Sequence, residues 1–417
     1  MRRGVVSRIA TSAVTGLIAI GGVLLMFGTA AVAPIVLIAA PAYRLGIETA
    51  GSLLLVDATA TLIRTVVPVH AKGFCAAVLP PVVKRRDVAT AAKVLRRALV
   101  AELGAFALAM AITVAVSPLA WRVIGDLPWW VLLVAGAIYL MRSLTAVAIE
   151  SVCATSGTGL STVMSVVNLL GMVIAPLAAI VASTSVVEIV LIELVIRTIV
   201  AGGAMIIASH VFARRFGESW MRASTADAEL DAAVPGVVVG WGAWFDRDGC
   251  MLGVLVGAMV GPASMVLFTA SSILAGLGSM PFGVWASVLA SKSPSLGSRL
   301  VRGVVFAALA LVTLRLAGPW LYRAVYPDVI AAGADLMPIA AWIGASVVMY
   351  PFMTKLSRQD EARRSQVLSA ASAIARAVST FWLISAHGLV GAVYGFVIQA
   401  VALAMVNVIE TRRRTTH

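Results

Sequence analysis

The sequence predicts an all-α membrane protein whose chain crosses the bilayer about twelve times. Three observations lead to this fold class: 61% of the 417 residues are hydrophobic, 12% are charged, and the mean hydropathy is +1.00. A soluble core cannot bury so large an apolar fraction, so lipid must surround most of these side chains. The apolar runs are continuous rather than alternating, which indicates helices instead of the strands of a barrel.

Apolar runs follow one another along the whole chain, each close to the length that a bilayer requires. The first begins with arginines like a signal peptide, but its long apolar part and missing cleavage site predict a retained helix. The predicted helices cover 11–40, 47–80, 97–119, 128–152, 158–183, 186–211, 234–257, 262–290, 301–322, 330–354, 365–386 and 390–410.

Lysine and arginine concentrate in alternate loops, whereas the opposite loops contain only Arg44, Arg122 and Arg323. Because cytoplasmic loops carry the excess of positive charge, we expect a multi-pass protein of the cytoplasmic (inner) cell membrane with both termini in the cytoplasm. Topology explains most of the net charge of +13, and we expect no nucleic-acid partner.

The most basic stretch is "KRRDVATAAKVLRR" at residues 84–97, which places apolar side chains on one helical face and basic ones on the other. Two interpretations stay open at this point. The stretch lies on the cytoplasmic membrane surface against anionic headgroups, or it forms a solvated basic cap on a long second helix.

The two halves of the chain contain similar motifs at similar positions. "SPLAWRVIGDLP" in the first half aligns with "GPWLYRAVYPDV" in the second, and Gly46 aligns with Gly261. This pattern predicts two six-helix bundles in the same orientation, at 1–212 and 234–417, joined by a cytoplasmic linker at 213–233.

Apart from Arg97 and Arg302 at the ends of predicted helices, seven basic residues fall inside these helices, where a charge needs a partner or a water-filled cavity. They are Arg64, Lys72, Arg142, Arg197, Arg247, Arg315 and Arg376. Five of them lie near the middle of a predicted helix and come from both halves: Arg64, Arg142, Arg197, Arg247 and Arg376. We therefore predict a central cavity in which these five arginines bind an anionic substrate.

Nearby acids offer internal partners for two of these arginines. Glu193 precedes Arg197 by four residues and Asp57 precedes Arg64 by seven, so each pair shares one helical face. Both acids are candidates for ion pairs or for coupling. An arginine that is paired in this way is a weaker candidate for binding substrate.

Arg142 and Arg376 have no acid within one helical turn, so they are the stronger candidates for binding a ligand. His70 has two open interpretations. It couples proton movement to transport, because histidine titrates near neutral pH, or it reaches the membrane interface beside Lys72.

Four motifs resemble those of the polysaccharide flippases of the Wzx type, within the larger MOP group that includes the MATE exporters and the lipid II flippase. They are "YRLGIETAGSLLL", "WFDRDGCMLGVLVGAMVGPASMVLFTASS", "YPDVIAAGADLMPIAAW" and "HGLVGAVYGFVIQAVALA". The resemblance implies a transporter that flips a polyprenyl-(pyro)phosphate-linked sugar or oligosaccharide to the outer leaflet by alternating access, for cell-envelope polysaccharide synthesis. It also implies three kinds of partner: this glycan substrate, membrane lipids and glycan-assembly membrane proteins.

Three alternatives compete with this interpretation. A MATE-type multidrug or cation antiporter needs an acid in its first helix, and 11–40 contains none. A membrane glycosyltransferase needs paired carboxylates in an early outer loop, which offers only Glu48. A non-transporting scaffold stays open. The sequence has no nucleophile triad, metal cluster or phosphate loop, so we expect no enzymatic activity, no cofactor and no metal.

Overall fold

The computed structural model describes residues 33–66, 71–156, 164–224 apart from 165 and 168, 250–291, 296–353, and 378–398 apart from 396. Every regular element in these ranges is helical, which confirms the all-α prediction. The α-helices are α1 (Ala33–Leu45), α2 (Ile47–Val66), α3 (Ala71–Lys84), α4 (Val88–Ile124), α5 (Val131–Thr155), α6 (Ala175–Ala182), α7 (Val186–Phe216), α8 (Cys250–Val260), α9 (Pro262–Ser291), α10 (Leu296–Val325), α11 (Met337–Met353) and α12 (Val378–Gly395). Leu170–Ile174 forms a π-helical turn before α6, and Asp328–Leu336 forms a 3-10 helix before α11.

Seven helical segments of the described residues are long and apolar enough to cross a membrane. They lie within α4, α5, α7, α9, α10, the 3-10 helix with α11, and α12. Their outward faces carry large apolar side chains such as Ile206, Leu316 and Trp320, each at least 70% exposed. Lipid covers such surfaces, so the chain is a multi-pass membrane protein.

The chain packs as two compact units. Unit 1 contains Ile63–Ser117 and Pro128–Val239 with Met1–Ala33, and unit 2 contains Pro34–Leu62, Pro118–Leu127 and Gly240–His417. These units group residues by packing, whereas the predicted bundles at 1–212 and 234–417 follow the sequence repeat. The bundles and their linker therefore stay a prediction, and most of the linker lies outside the described residues.

Two described helices lie within the range of the predicted helix at 47–80. α2 covers Ile47–Val66 and α3 begins at Ala71. Residues 67–70 lie outside the described residues, so whether 47–80 forms one element stays a prediction. Lys72 belongs to the first turn of α3.

The basic stretch at 84–97 forms the last residue of α3, a short turn and the start of α4. Its apolar face is buried in protein, where Leu95 belongs to a core cluster with Phe212 and Trp220. Arg96 donates to the carbonyl oxygens of Trp220 at 3.0 Å and Ala223 at 2.7 Å. The stretch is therefore a basic cap, as one interpretation predicted, but it caps α4 rather than the second helix.

Single glycines link helices at the two aligned positions. Gly46 joins α1 to α2 with φ of +85°, and Gly261 joins α8 to α9 with φ of +114°. Both values lie where residues with a side chain are strained. The aligned prolines, Pro118 and Pro319, also both lie inside long helices, α4 and α10.

α12 reverses direction within its own length. Gly388 has φ of +56°. A Cβ atom on Gly395 would overlap Thr380 Oγ1, although a straight helix separates residues fifteen apart by about 22 Å. The chain therefore turns at Gly388, between the positions of the two last predicted helices.

Candidate functional site

Two arginines and one carboxylate meet where α5 packs against α7. Glu193 Oε1 accepts a hydrogen bond from Arg197 Nε at 2.6 Å, one helical turn along α7. The same oxygen accepts from Arg142 Nη2, which reaches it from α5, at 3.3 Å. The cluster therefore contains two positive charges and one negative charge, and we call it the arginine cluster.

The arginine cluster is poorly accessible to solvent. The side chain of Arg197 is 4% exposed, that of Glu193 12% and that of Arg142 27%. All three lie in helices that are long and apolar enough to span the membrane. An uncompensated charge is costly in such surroundings, so the shared carboxylate of Glu193 stabilises both guanidinium groups.

A small cavity of about 20 Å³ opens beside the arginine cluster. It is lined by Met141, Arg142, Thr145, Gly171, Met172, Arg197 and Val200. This volume accommodates about one water molecule. Gly171 and Met172 belong to the π-helical turn before α6, and such turns are frequent at functional sites.

A second buried ion pair connects α2 to α4. Arg64 Nη2 lies 2.6 Å from Glu102 Oε2, and the two side chains are 6% and 3% exposed. The guanidinium of Arg64 also lies over the ring of Tyr139 on α5, at 5.6 Å from the ring centroid. Tyr139 and Arg142 are three residues apart on α5, so this helix contributes one contact to Arg64 and one arginine to the arginine cluster.

Lys72 and Glu150 form a third, weaker contact. Lys72 Nζ lies 3.9 Å from Glu150 Oε1, and their side chains are 55% and 24% exposed. Ion pairs with this much exposure contribute little to stability.

The structure brings together three of the predicted site residues: Arg142, Arg197 and Glu193. The pair that the four-residue spacing indicated, Glu193 with Arg197, is present. Arg142 has no acid within one helical turn, as the sequence shows, but Glu193 reaches it from a different helix. A search within one helical turn of Arg142 misses a partner 51 residues away.

The other predicted site residues lie outside the arginine cluster or outside the described residues. Arg64 is held by Glu102 on α4. Asp57 lies on α2 and is partly buried. His70, Arg247 and Arg376 lie outside the described residues, so their predicted roles stay predictions.

Glu102 is a buried charged residue that the sequence reasoning missed. It is 2% exposed in the middle of the apolar run "LVAELGAFALA" of α4. The same rule that selected the intramembrane arginines applies to a carboxylate in a predicted membrane helix. Pairing the intramembrane acids with the intramembrane bases across helices would have drawn attention to it.

Metal-ligating side chains do not gather in the part of the chain that the structure describes, since no three His, Cys, Asp or Glu side chains come together there. The buried ion pairs among the described residues join arginine to glutamate.

Comparison with solved structures finds transporters over nearly the whole chain. The inward-facing conformation of a multidrug resistance MATE family transporter of the MOP superfamily has 14% identity and a TM-score of 0.59, and covers 95% of this chain and 98% of that one. A crystal structure of MATE in complex with MaL6 has 15% identity and a TM-score of 0.48, and covers 95% of each chain. A MOP superfamily transporter from Pyrococcus furiosus has 14% identity and a TM-score of 0.47, and covers 95% of this chain and 94% of that one.

Comparison of the sequence with protein-family models finds no match. Comparison with curated proteins finds no match either. The likeness to the inward-facing MATE transporter, at 14% identity, is a likeness of fold. The chain therefore has the fold of MATE transporters, in agreement with what its motifs implied.

Proposed function

We propose that the protein is a membrane transporter that flips a polyprenyl-(pyro)phosphate-linked sugar or oligosaccharide from the cytoplasmic to the outer leaflet. The observation that carries this proposal is the arginine cluster, in which two guanidinium groups share one carboxylate inside membrane-spanning helices. The MATE-like fold supports transport, and the two neighbouring guanidinium groups support an anionic substrate.

The geometry of the cluster suits a phosphate group. The bonding nitrogens of Arg142 and Arg197 lie within about 6 Å of each other, because both contact the same oxygen. Oxygens of one phosphate group bridge donors at this separation, and guanidinium stays charged at physiological pH. A lipid-linked (pyro)phosphate supplies the anion, while its tail stays in lipid and its glycan needs an aqueous path.

The cavity is too small for a glycan headgroup in this conformation, since about 20 Å³ holds about one water molecule. The proposal therefore requires a second conformation in which the cavity widens. Alternating access supplies such a change, because the site opens to one side of the membrane and then to the other.

The second candidate function is a multidrug or cation antiporter. The fold favours it, since the solved structure with a TM-score of 0.59 is a multidrug resistance MATE family transporter. The chemistry of the cluster favours the flippase, because its two guanidinium groups suit an anion better than an organic cation. Saturable binding of an organic cation such as ethidium, abolished by Glu193→Gln, would reverse our choice.

The experiment compares cells carrying wild-type protein with cells carrying Arg142→Gln or Arg376→Gln, and measures lipid-linked glycan on each leaflet. We expect Arg142→Gln to reduce export at least tenfold, because one of two phosphate contacts is lost. Arg315→Gln is the matched control, since Arg315 is exposed on α10. Unchanged export by folded, abundant Arg142→Gln protein would refute the proposal for this site.

A further inference from the structure

We infer that Glu193 is a displaceable counter-ion, which neutralises the arginine cluster without substrate and gives up its contacts to the anionic group of the substrate. This inference rests on the proposed function, because it assumes that the cluster binds an anion. It adds a regulatory role for the carboxylate: Glu193 competes with substrate for the same two guanidinium groups.

The two contacts of Glu193 are unequal. Its bond to Arg197 is short, at 2.6 Å, and Arg197 is 4% exposed and on the same helix. Its contact with Arg142 is 3.3 Å, and Arg142 is 27% exposed and on α5. Arg142 therefore exchanges its partner more readily, and an incoming anion meets Arg142 first.

Charge explains why the displacement is favourable. A carboxylate carries one negative charge, and a phosphate or diphosphate brings as much or more with additional acceptor oxygens. The two guanidinium groups stay positively charged and therefore attract an incoming anion. Before binding, one carboxylate oxygen of Glu193 accepts hydrogen bonds from both arginines. After binding, the several oxygens of the phosphate group accept these hydrogen bonds instead.

The same competition assists release. Two neighbouring guanidinium groups repel each other in an apolar environment, so a negative charge that returns to both of them stabilises the site after the substrate has left. Glu193 supplies this charge when the substrate leaves. A transporter must release its cargo in every cycle, and an internal counter-ion lowers the free energy of the empty state.

The test uses the full-length protein in nanodiscs and measures binding of geranyl diphosphate, a short isoprenoid diphosphate. We expect Glu193→Gln to bind this probe about tenfold more tightly than wild type, because its competitor loses its charge. We also expect Glu193→Gln to transport more slowly, since release is impaired. Glu188→Gln is the matched control on the same helix, where Glu188 accepts a hydrogen bond from Ser183.

A second pair of variants, both carrying Arg142→Gln, keeps the test decisive if Glu193→Gln alone does not fold. Arg142→Gln and Arg142→Gln/Glu193→Gln differ only in the carboxylate and contain one fewer buried cation. We expect the double variant to bind the probe several-fold more tightly than Arg142→Gln.

The outcomes separate this inference from the proposed function. If wild type binds the probe and removal of the Glu193 charge leaves affinity equal or weaker in both backgrounds, the counter-ion inference is overturned and the function stands. If neither wild type nor the Glu193 variants bind the probe saturably, an anion site at the cluster is refuted, and the inference falls with it.

Discussion

The buried pair of Arg64 and Glu102 allows a quantitative test of whether Arg64 is structural or binds substrate. The change is to replace Arg64 with Met, Glu102 with Leu, and both together. The two atoms lie 2.6 Å apart and the side chains are 6% and 3% exposed, so water does not compensate a charge left alone. Each single replacement should cost about 3–5 kcal/mol of stability, which is typical when one partner of a buried ion pair is removed.

The double replacement should recover more than half of this loss, because two apolar side chains of similar volume need no counter-charge. The assay is thermal unfolding of the detergent-purified protein, combined with glycan export by each variant. Lys72→Met and Glu150→Leu are the matched control variants. In the wild type the charged atoms of this pair lie 3.9 Å apart and the side chains are 55% and 24% exposed. Each replacement should therefore cost about 0–1 kcal/mol of stability.

Two results would refute this reasoning about Arg64. If the losses of the single variants simply add in the double variant, the two charges do not interact in the folded protein. If the double variant is as stable as wild type but exports no glycan, Arg64 contributes to transport and not only to packing.

The remaining predictions concern helix packing, the basic cap at 84–97 and the membrane topology. Gly51→Ala places a Cβ atom against the carbonyl oxygen of Pro262, so α2 and α9 must separate and thermal stability should fall by about 1–3 kcal/mol or more. The Cβ atom of Gly104→Ala has no other atom within 4 Å, so this replacement should stabilise α4 by about 0.5–1 kcal/mol. An equal change in thermal stability at both glycines would contradict the packing argument. Arg96→Gln loses charged hydrogen bonds to two carbonyl oxygens and should increase hydrogen exchange at residues 219–223, whereas Arg97→Gln, which is exposed, should not. A single reactive cysteine added after His417 in a cysteine-free variant should react with an impermeant maleimide only from the cytoplasmic side, and labelling from outside would overturn the topology.

The positions of membrane helices could be predicted from the sequence where local hydropathy alone decides that a helix contacts lipid. The predicted helices at 128–152 and 262–290 match α5 and α9 within three residues at each end, because hydropathy sets where a helix must be covered by lipid. The extension of α4 to Val88 was missed because its basic first turns are not apolar.

The candidate site could be predicted only where its partners share a helix. Glu193 and Arg197 are four residues apart, so helical geometry alone brings them together. The contacts of Arg142 with Glu193 and of Arg64 with Glu102 join different helices across 51 and 38 residues. Such pairs depend on which helices pack side by side, and hydropathy contains no information on that choice.

The one-residue junctions at Gly46 and Gly261 have a consequence for how the gene tolerates insertions. Each residue added to an α-helix rotates the remainder of that helix by about 100°. A junction of one residue cannot absorb such a rotation, so an inserted residue changes the angular phase of α2 or α9 and turns a different face toward the neighbouring helices. Length at these two points is therefore constrained as strongly as residue identity, and both halves of the chain share that constraint.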